Sequence, residues 1–299
     1  MPKFMPAIIL FLTVLTAGTK YCCAQDDQFL CKEKIDLLLK AVRDTGSFFI
    51  KVHAAENLIS QNVADGLDTV FLSLKKSSPD YVIGASRVLA LLYKNNPGIY
   101  QQQINELLAL FKYAKNSRSR LTALESLGKL GYNYPLPEIT AYSNTGTHGF
   151  KAMARWVLSN DNSRNTENKL SELLLSHDIL DYRYAAYALR FKQTANRLTR
   201  RRLKISFRRL SINDEARIYL ASSSFVHGNK KKKDQLKQVL LSYLNGTVGQ
   251  RYEVAEALGI GGSFKDLQVL QQLSKDENAD VRVAAANAGL RLLQCRKQN

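Results

Sequence analysis

Residues Arg120–Leu127 read RLTALESL: a basic residue, a small one three positions on (Ala123), and a leucine four beyond that (Leu127). The pattern recurs along the chain, as Lys51-Ala54-Leu58, Val82-Ala85-Leu89, Lys151-Ala154-Leu158, Arg183-Ala186-Arg190, Asn213-Ala216-Leu220, Arg251-Val254-Leu258 and Arg282-Ala285-Gly289. The intervals between the small residues are 31, 38, 31, 32, 30, 38 and 31. A spacing of three and four keeps the three positions on one helical face. A repeat at a nearly fixed period is the mark of stacked hairpins.

Each period holds a second apolar segment at helical spacing, such as Leu107, Leu108, Leu110 and Phe111, or Leu170, Leu173, Leu174 and Leu175. Ser78-Pro79 and Asn96-Pro97 are candidate helix starts, and Gly131, Gly228 and Gly261 candidate ends. The 16 Gly and 6 Pro are too few for the many turns of a sandwich or barrel. The expected fold is therefore all-α: a superhelical α-solenoid of about eight helix–turn–helix repeats of about 31 residues. A small anchor lets helices approach closely, and the leucine fills the adjoining groove. The 38-residue intervals are read as insertions.

Asp280-Val281-Arg282-Val283-Ala284-Ala285-Ala286 and Asp181-Tyr182-Arg183-Tyr184-Ala185-Ala186 resemble the Asp-Val-Arg-x-x-Ala-Ala signature of HEAT repeats. The short period resembles the HEAT-like repeats of phycobilisome lyases, over about residues 30 to 293. The resemblance implies an interaction scaffold. Nothing marks a bilin site. The match departs at the second and sixth units, which lack the basic residue, and at Arg190 and Gly289, which replace the leucine.

The first 24 residues carry Lys3, an apolar run from Ala7 to Ala17, and Cys22-Cys23-Ala24 as small residues at a cleavage site. The run is too short to span a bilayer, which takes about 20 residues. It fits a secretory signal cleaved after Ala24. Lys20-Tyr21 before Cys22 does not fit a lipoprotein box. The expected organisation is a signal peptide over 1–24 and one repeat domain over 25–299, secreted or periplasmic. Cys31 and Cys295 then lie at opposite ends of an open superhelix. A bridge needs Cα atoms within about 7 Å, so two buried or free thiols are expected.

The chain has 43 Lys+Arg against 26 Asp+Glu, a formal +17. Its densest cationic stretch, residues 190–209, holds nine basic side chains and no acid. Arg197, Arg201, Lys204 and Arg208 fall on a face away from the Leu203-Phe207-Leu210 stripe. Lys230, Lys231, Lys232 and Lys233 follow at the next junction. The candidate binding residues are these four lysines with Arg197, Arg200, Arg201, Arg202, Lys204, Arg208 and Arg209. Clustered cations attract polyanions, although a solvated helix face with no partner has the same composition. Lys51, Arg120, Lys151, Arg183, Arg251 and Arg282 either line a concave face or form a ladder to carboxylates and carbonyls of neighbouring repeats. Trp156, Tyr132, Tyr134 and Tyr187 are read as recognition or packing residues.

His53, His148, His177 and His227 show no metal-ligand spacing, Cys31 and Cys295 no activating context, and Gly259-Ile260-Gly261-Gly262 follows a helix rather than a strand. No enzyme, metal or cofactor is expected. The leading expectation of function is an exported, non-enzymatic scaffold presenting a concave surface to a protein or peptide partner. The alternative is a cationic binder of anionic glycan or a membrane surface through residues 197–209 and 230–233. Export argues against intracellular nucleic acid as a partner.

Overall fold

The computed structural model describes residues 27–44, 46–211 and 215–293. The segment 1–24, Cys295 and Asn213 of the sixth repeat unit lie outside them. Every regular element among the described residues is helical. Among the described residues, no helix is long and apolar enough to cross a membrane.

The first helix, α1, covers residues 27–43. Odd-numbered helices then follow as α3 (Leu67–Ser77), α5 (Pro97–Tyr113), α7 (Pro137–Thr145), α9 (Arg164–Glu172), α11 (Arg197–Arg209), α13 (Lys230–Leu241) and α15 (Leu267–Leu273). Between them run α2 (Phe48–Ser60), α4 (Val82–Leu92), α6 (Ser117–Lys129), α8 (Phe150–Ser159), α10 (Ile179–Arg190), α12 (Arg217–Val226), α14 (Val248–Gly261) and α16 (Ala279–Leu293). Seven of them begin at a side-chain cap. Asn96, Asn116, Ser163, Asp178, Asn196 and Asn229 all accept backbone N–H bonds through their side chains, and Thr247 with Gln250 forms a capping box. The first long interval of the repeat is taken up by α5, the longest of α2 to α16 at 17 residues.

The repeated pattern falls on the even helices. All eight small anchors (Ala54, Ala85, Ala123, Ala154, Ala186, Ala216, Val254, Ala285) are 0% exposed. They let each even helix lie close to the next: α2 on α4, α4 on α6, and so on to α14 on α16. Glycine does the same at closer range. A Cβ added at Gly128 would stand 2.8 Å from the Trp156 ring, and one at Gly259 2.7 Å from the Ala288 backbone.

The succession does not stay open. Helix α16 returns to pack on α2. Val283, Ala286 and Leu290 share a core with Leu38, Val52 and Leu58. His53 and Asp280 pair across the seam at 2.8 Å, and Lys34 of α1 lies over Gly289. The eight even helices thus close a ring, which differs from the expected separation of the chain ends. Cys31 also departs from expectation: it is disulfide-bonded.

Candidate anion-binding cleft

The basic residues that open the even helices are occupied. Lys51 donates to the Val42 and Asp44 carbonyls, Arg120 to the Phe111 carbonyl at 2.8 Å, and Arg282 to the Asp276 and Glu277 carbonyls. Each closes off the carbonyl end of the preceding helix or loop. Several also reach the next unit. Arg120 bonds the Tyr142 hydroxyl, Arg183 bonds the Tyr219 hydroxyl at 3.3 Å, Lys151 lies 4.0 Å from Asp181, and Arg251 pairs with Asp276 at 2.7 Å. These side chains form the ladder and not a free concave face.

The middle of the ring is also filled. Arg190, 2% exposed, stands 3.1 Å from Glu253 and 3.0 Å from Glu256 of α14, two helices away around the ring. Arg291 flanks Glu256 at 3.6 Å. Arg87 pairs with Glu56 and donates to Ser126 at 3.1 Å. Glu125 accepts from Lys129 at 2.9 Å and from the Tyr187 hydroxyl at 2.8 Å. Burial alone would raise the Glu125 carboxyl, but Lys129 and Arg87 beside it, with those hydrogen bonds, hold it at about 2. Glu253 goes the other way, because burial outweighs the neighbouring Arg190. Trp156 stacks on Phe191 and meets the edge of Tyr187. Trp156 and Tyr187, which the sequence left open as recognition or packing residues, pack inward, whereas Tyr134 is exposed.

An unfilled space lies instead between α11 and α13. Both pack against α12, and both run antiparallel to it, so they begin at the same end. The cleft between them encloses about 1490 Å³. Of the candidate cations, Arg197, Arg200, Arg201, Lys204, Arg208 and Lys232 line it. The two basic segments, separated by a whole helix in sequence, thus meet across one space. From Arg197 to Arg208 the wall is about 16 Å long at 1.5 Å per residue.

Other candidates point elsewhere. Arg202 donates to the Asn168 carbonyl at 2.7 Å and to Ser171, beside Glu172. Lys233 donates to the Gly261 carbonyl at 2.8 Å. Arg209, Lys230 and Lys231 are exposed but do not line the cleft. Within the wider 190–209 stretch, Arg190 belongs to the ring centre, and Lys192 bonds the Ser159 carbonyl at 2.6 Å.

Sequence reasoning missed Arg164, Asn168, Asn196 and Ser224. Arg164 stands about one repeat before Arg197, at the corresponding start of the preceding odd helix, and that register was the available signal. No acidic residue lines the cleft, and none of its seven Lys and Arg side chains makes an ion pair among the described residues. His227 lies at the base. Burial lowers its pKa, so the ring is neutral at pH 7, and Nε2 donates to the Leu189 carbonyl at 2.8 Å. Ser224 Oγ, also at the base, is buried without a hydrogen-bond partner. No group of side chains fit to hold a metal occurs among the described residues.

Among the described residues, fold and site define an all-helical protein whose helix α16 packs back on α2, with a large cationic cleft between α11 and α13. No family model, curated protein or solved structure matches the chain.

Proposed function

We propose that the chain is a non-enzymatic binding protein that takes an anionic ligand in the α11–α13 cleft. The observation that carries this is the cleft itself: among the described residues, seven Lys and Arg side chains without an ion pair, and no acid, surround one space. Like charges held together in a shared cavity repel one another, and a bound anion relieves that. The repeat pattern, the ladder and the buried anchors support reading the architecture as a HEAT-like α-solenoid whose ends meet. In such a ring the side chains on the inner helices bond one another, so the geometry favours the outer cleft over a concave surface as the binding face. The apolar run at Ala7–Ala17 supports export, and with it an extracellular or periplasmic ligand.

Retention on phosphocellulose along a salt gradient tests the reading. A variant with Arg197, Arg200 and Arg201 changed to Ala should elute at clearly lower salt than wild type. A control with Lys76, Lys94 and Lys265 changed to Ala carries the same net charge from exposed sites elsewhere. Co-elution of the two triple variants would show that net charge, and not the cleft, holds the anion.

A further inference from the structure

Among the cleft's lining residues, chemistry is divided by position. The end where α11 and α13 begin is mostly polar, with Arg164, Arg197, Arg200 and Lys232 around Ser224 and His227, and Leu198 as its apolar member. The other end is lined by Phe207, Leu236 and Val239, each partly exposed, between Lys204 and Arg208. A ligand charged along its whole length would leave that apolar floor uncovered or cover it with polar groups. Burial of such a floor is favourable only against apolar surface.

The polar end also breaks a local rule. Helix N-termini carry partial positive charge and favour acids in the first turn. Yet α11 and α13 have no acid there; α11 opens with Arg197 and Arg200, and α13 with four lysines. Cations added to two positive helix ends cost stability, and an anion seated between them would offset that cost. The buried Ser224 hydroxyl, still unpartnered, adds a hydrogen-bonding group at the same place.

Resting on the anion-binding reading above, we propose that the cleft takes an anionic amphiphile of the single-chain lipid class. Its phosphate or carboxylate head lies between the starts of α11 and α13, and its alkyl chain runs over Phe207, Leu236 and Val239.

The test is direct binding of inorganic phosphate, butyl, octyl and decyl phosphate, and inorganic polyphosphate to the full chain, below micelle-forming concentrations. Affinity should rise with alkyl length, by about fourfold for each methylene that is fully buried. Arg197→Ala with Arg200→Ala should weaken every alkyl phosphate alike. Val239→Asp should flatten the dependence on chain length. Because the length series is read on wild type, it stands even if a variant folds poorly. Affinity independent of chain length, with polyphosphate displacing decyl phosphate, would overturn the amphiphile and leave the anion cleft standing. No binding of any of these compounds would overturn both. A length dependence unchanged by either variant would overturn the placement in this cleft.

Discussion

Arg190 of α10 donates to the Glu256 carboxylate of α14 at 3.0 Å, across the centre of the ring. Glu253 lies 3.1 Å from the same guanidinium, and all three side chains are buried. Arg190 stands where most units carry leucine, so one departure from the repeat supplies the charge that two buried acids need.

Arg190→Leu restores the leucine of the pattern but leaves Glu253 without its main partner and Glu256 with Arg291. Removing one side of a buried pair typically costs about 3–5 kcal/mol. A fall of that size is expected in urea unfolding, read from the midpoint at constant slope. Adding Glu253→Gln and Glu256→Gln should recover much of it. A single variant as stable as wild type would mean that the central cluster contributes nothing to stability.

Glu125 sets an acid limit. Its carboxyl sits at about 2 in the fold against an ordinary 4.5. A depressed carboxylate adds stability that is fully present above the unfolded value and is lost as pH falls through the folded one. Its contribution is thus complete above about pH 5 and disappears toward pH 2, on the order of 3 kcal/mol. Stability measured against pH should fall more steeply over that window in wild type than in Glu125→Gln. Parallel curves would assign the acid loss to other carboxylates.

Two glycines, one on α14 and one on α16, should respond differently to the same change. A Cβ at Gly259 meets the Ala288 main chain at 2.7 Å, which cannot move without shifting α16. A Cβ at Gly289 meets only the outer carbons of the Lys34 side chain, which can swing away. Gly259→Ala is expected to destabilise by about 1–3 kcal/mol, in the range of overpacked cores. Gly289→Ala should cost less than about 1 kcal/mol, because it exchanges a flexible contact for better helix propensity. Thermal melts of both variants check the order, and equal losses would mean that the Ala288 contact yields no less than the Lys34 side chain does.

The sequence made the helical pattern legible because the buried anchors repeat at helical spacing, and all eight are fully buried. It also made the basic segments legible as composition. It did not show closure, because that depends on how far each unit turns relative to the last, a sum of small rotations with no single residue behind it. Gly289 was the available hint: a missing leucine at the last unit is where Lys34 of α1 comes across. The cleft was half legible. Helical spacing placed Arg197, Arg201, Lys204 and Arg208 on one face. That Lys232 faces them while Arg202 and Lys233 turn to backbone carbonyls follows from the position of α13, which only the packing on α12 determines.

The start of α13 should trade stability for binding. Lys230 to Lys233 occupy its first turn with no acid, and Lys231 is exposed and free of ion pairs among the described residues. An acid at that position meets the positive end of the helix and typically gains about 0.3–1 kcal/mol at low salt. Lys231→Glu should therefore raise the melting temperature slightly in low salt, with the gain shrinking as salt screens it. Placed next to Lys232 at the cleft rim, the same change should weaken binding of alkyl phosphate or polyphosphate several-fold. A more stable variant with weaker binding is the outcome expected if the lysines are held there for a ligand. A less stable variant would show that they serve the helix itself.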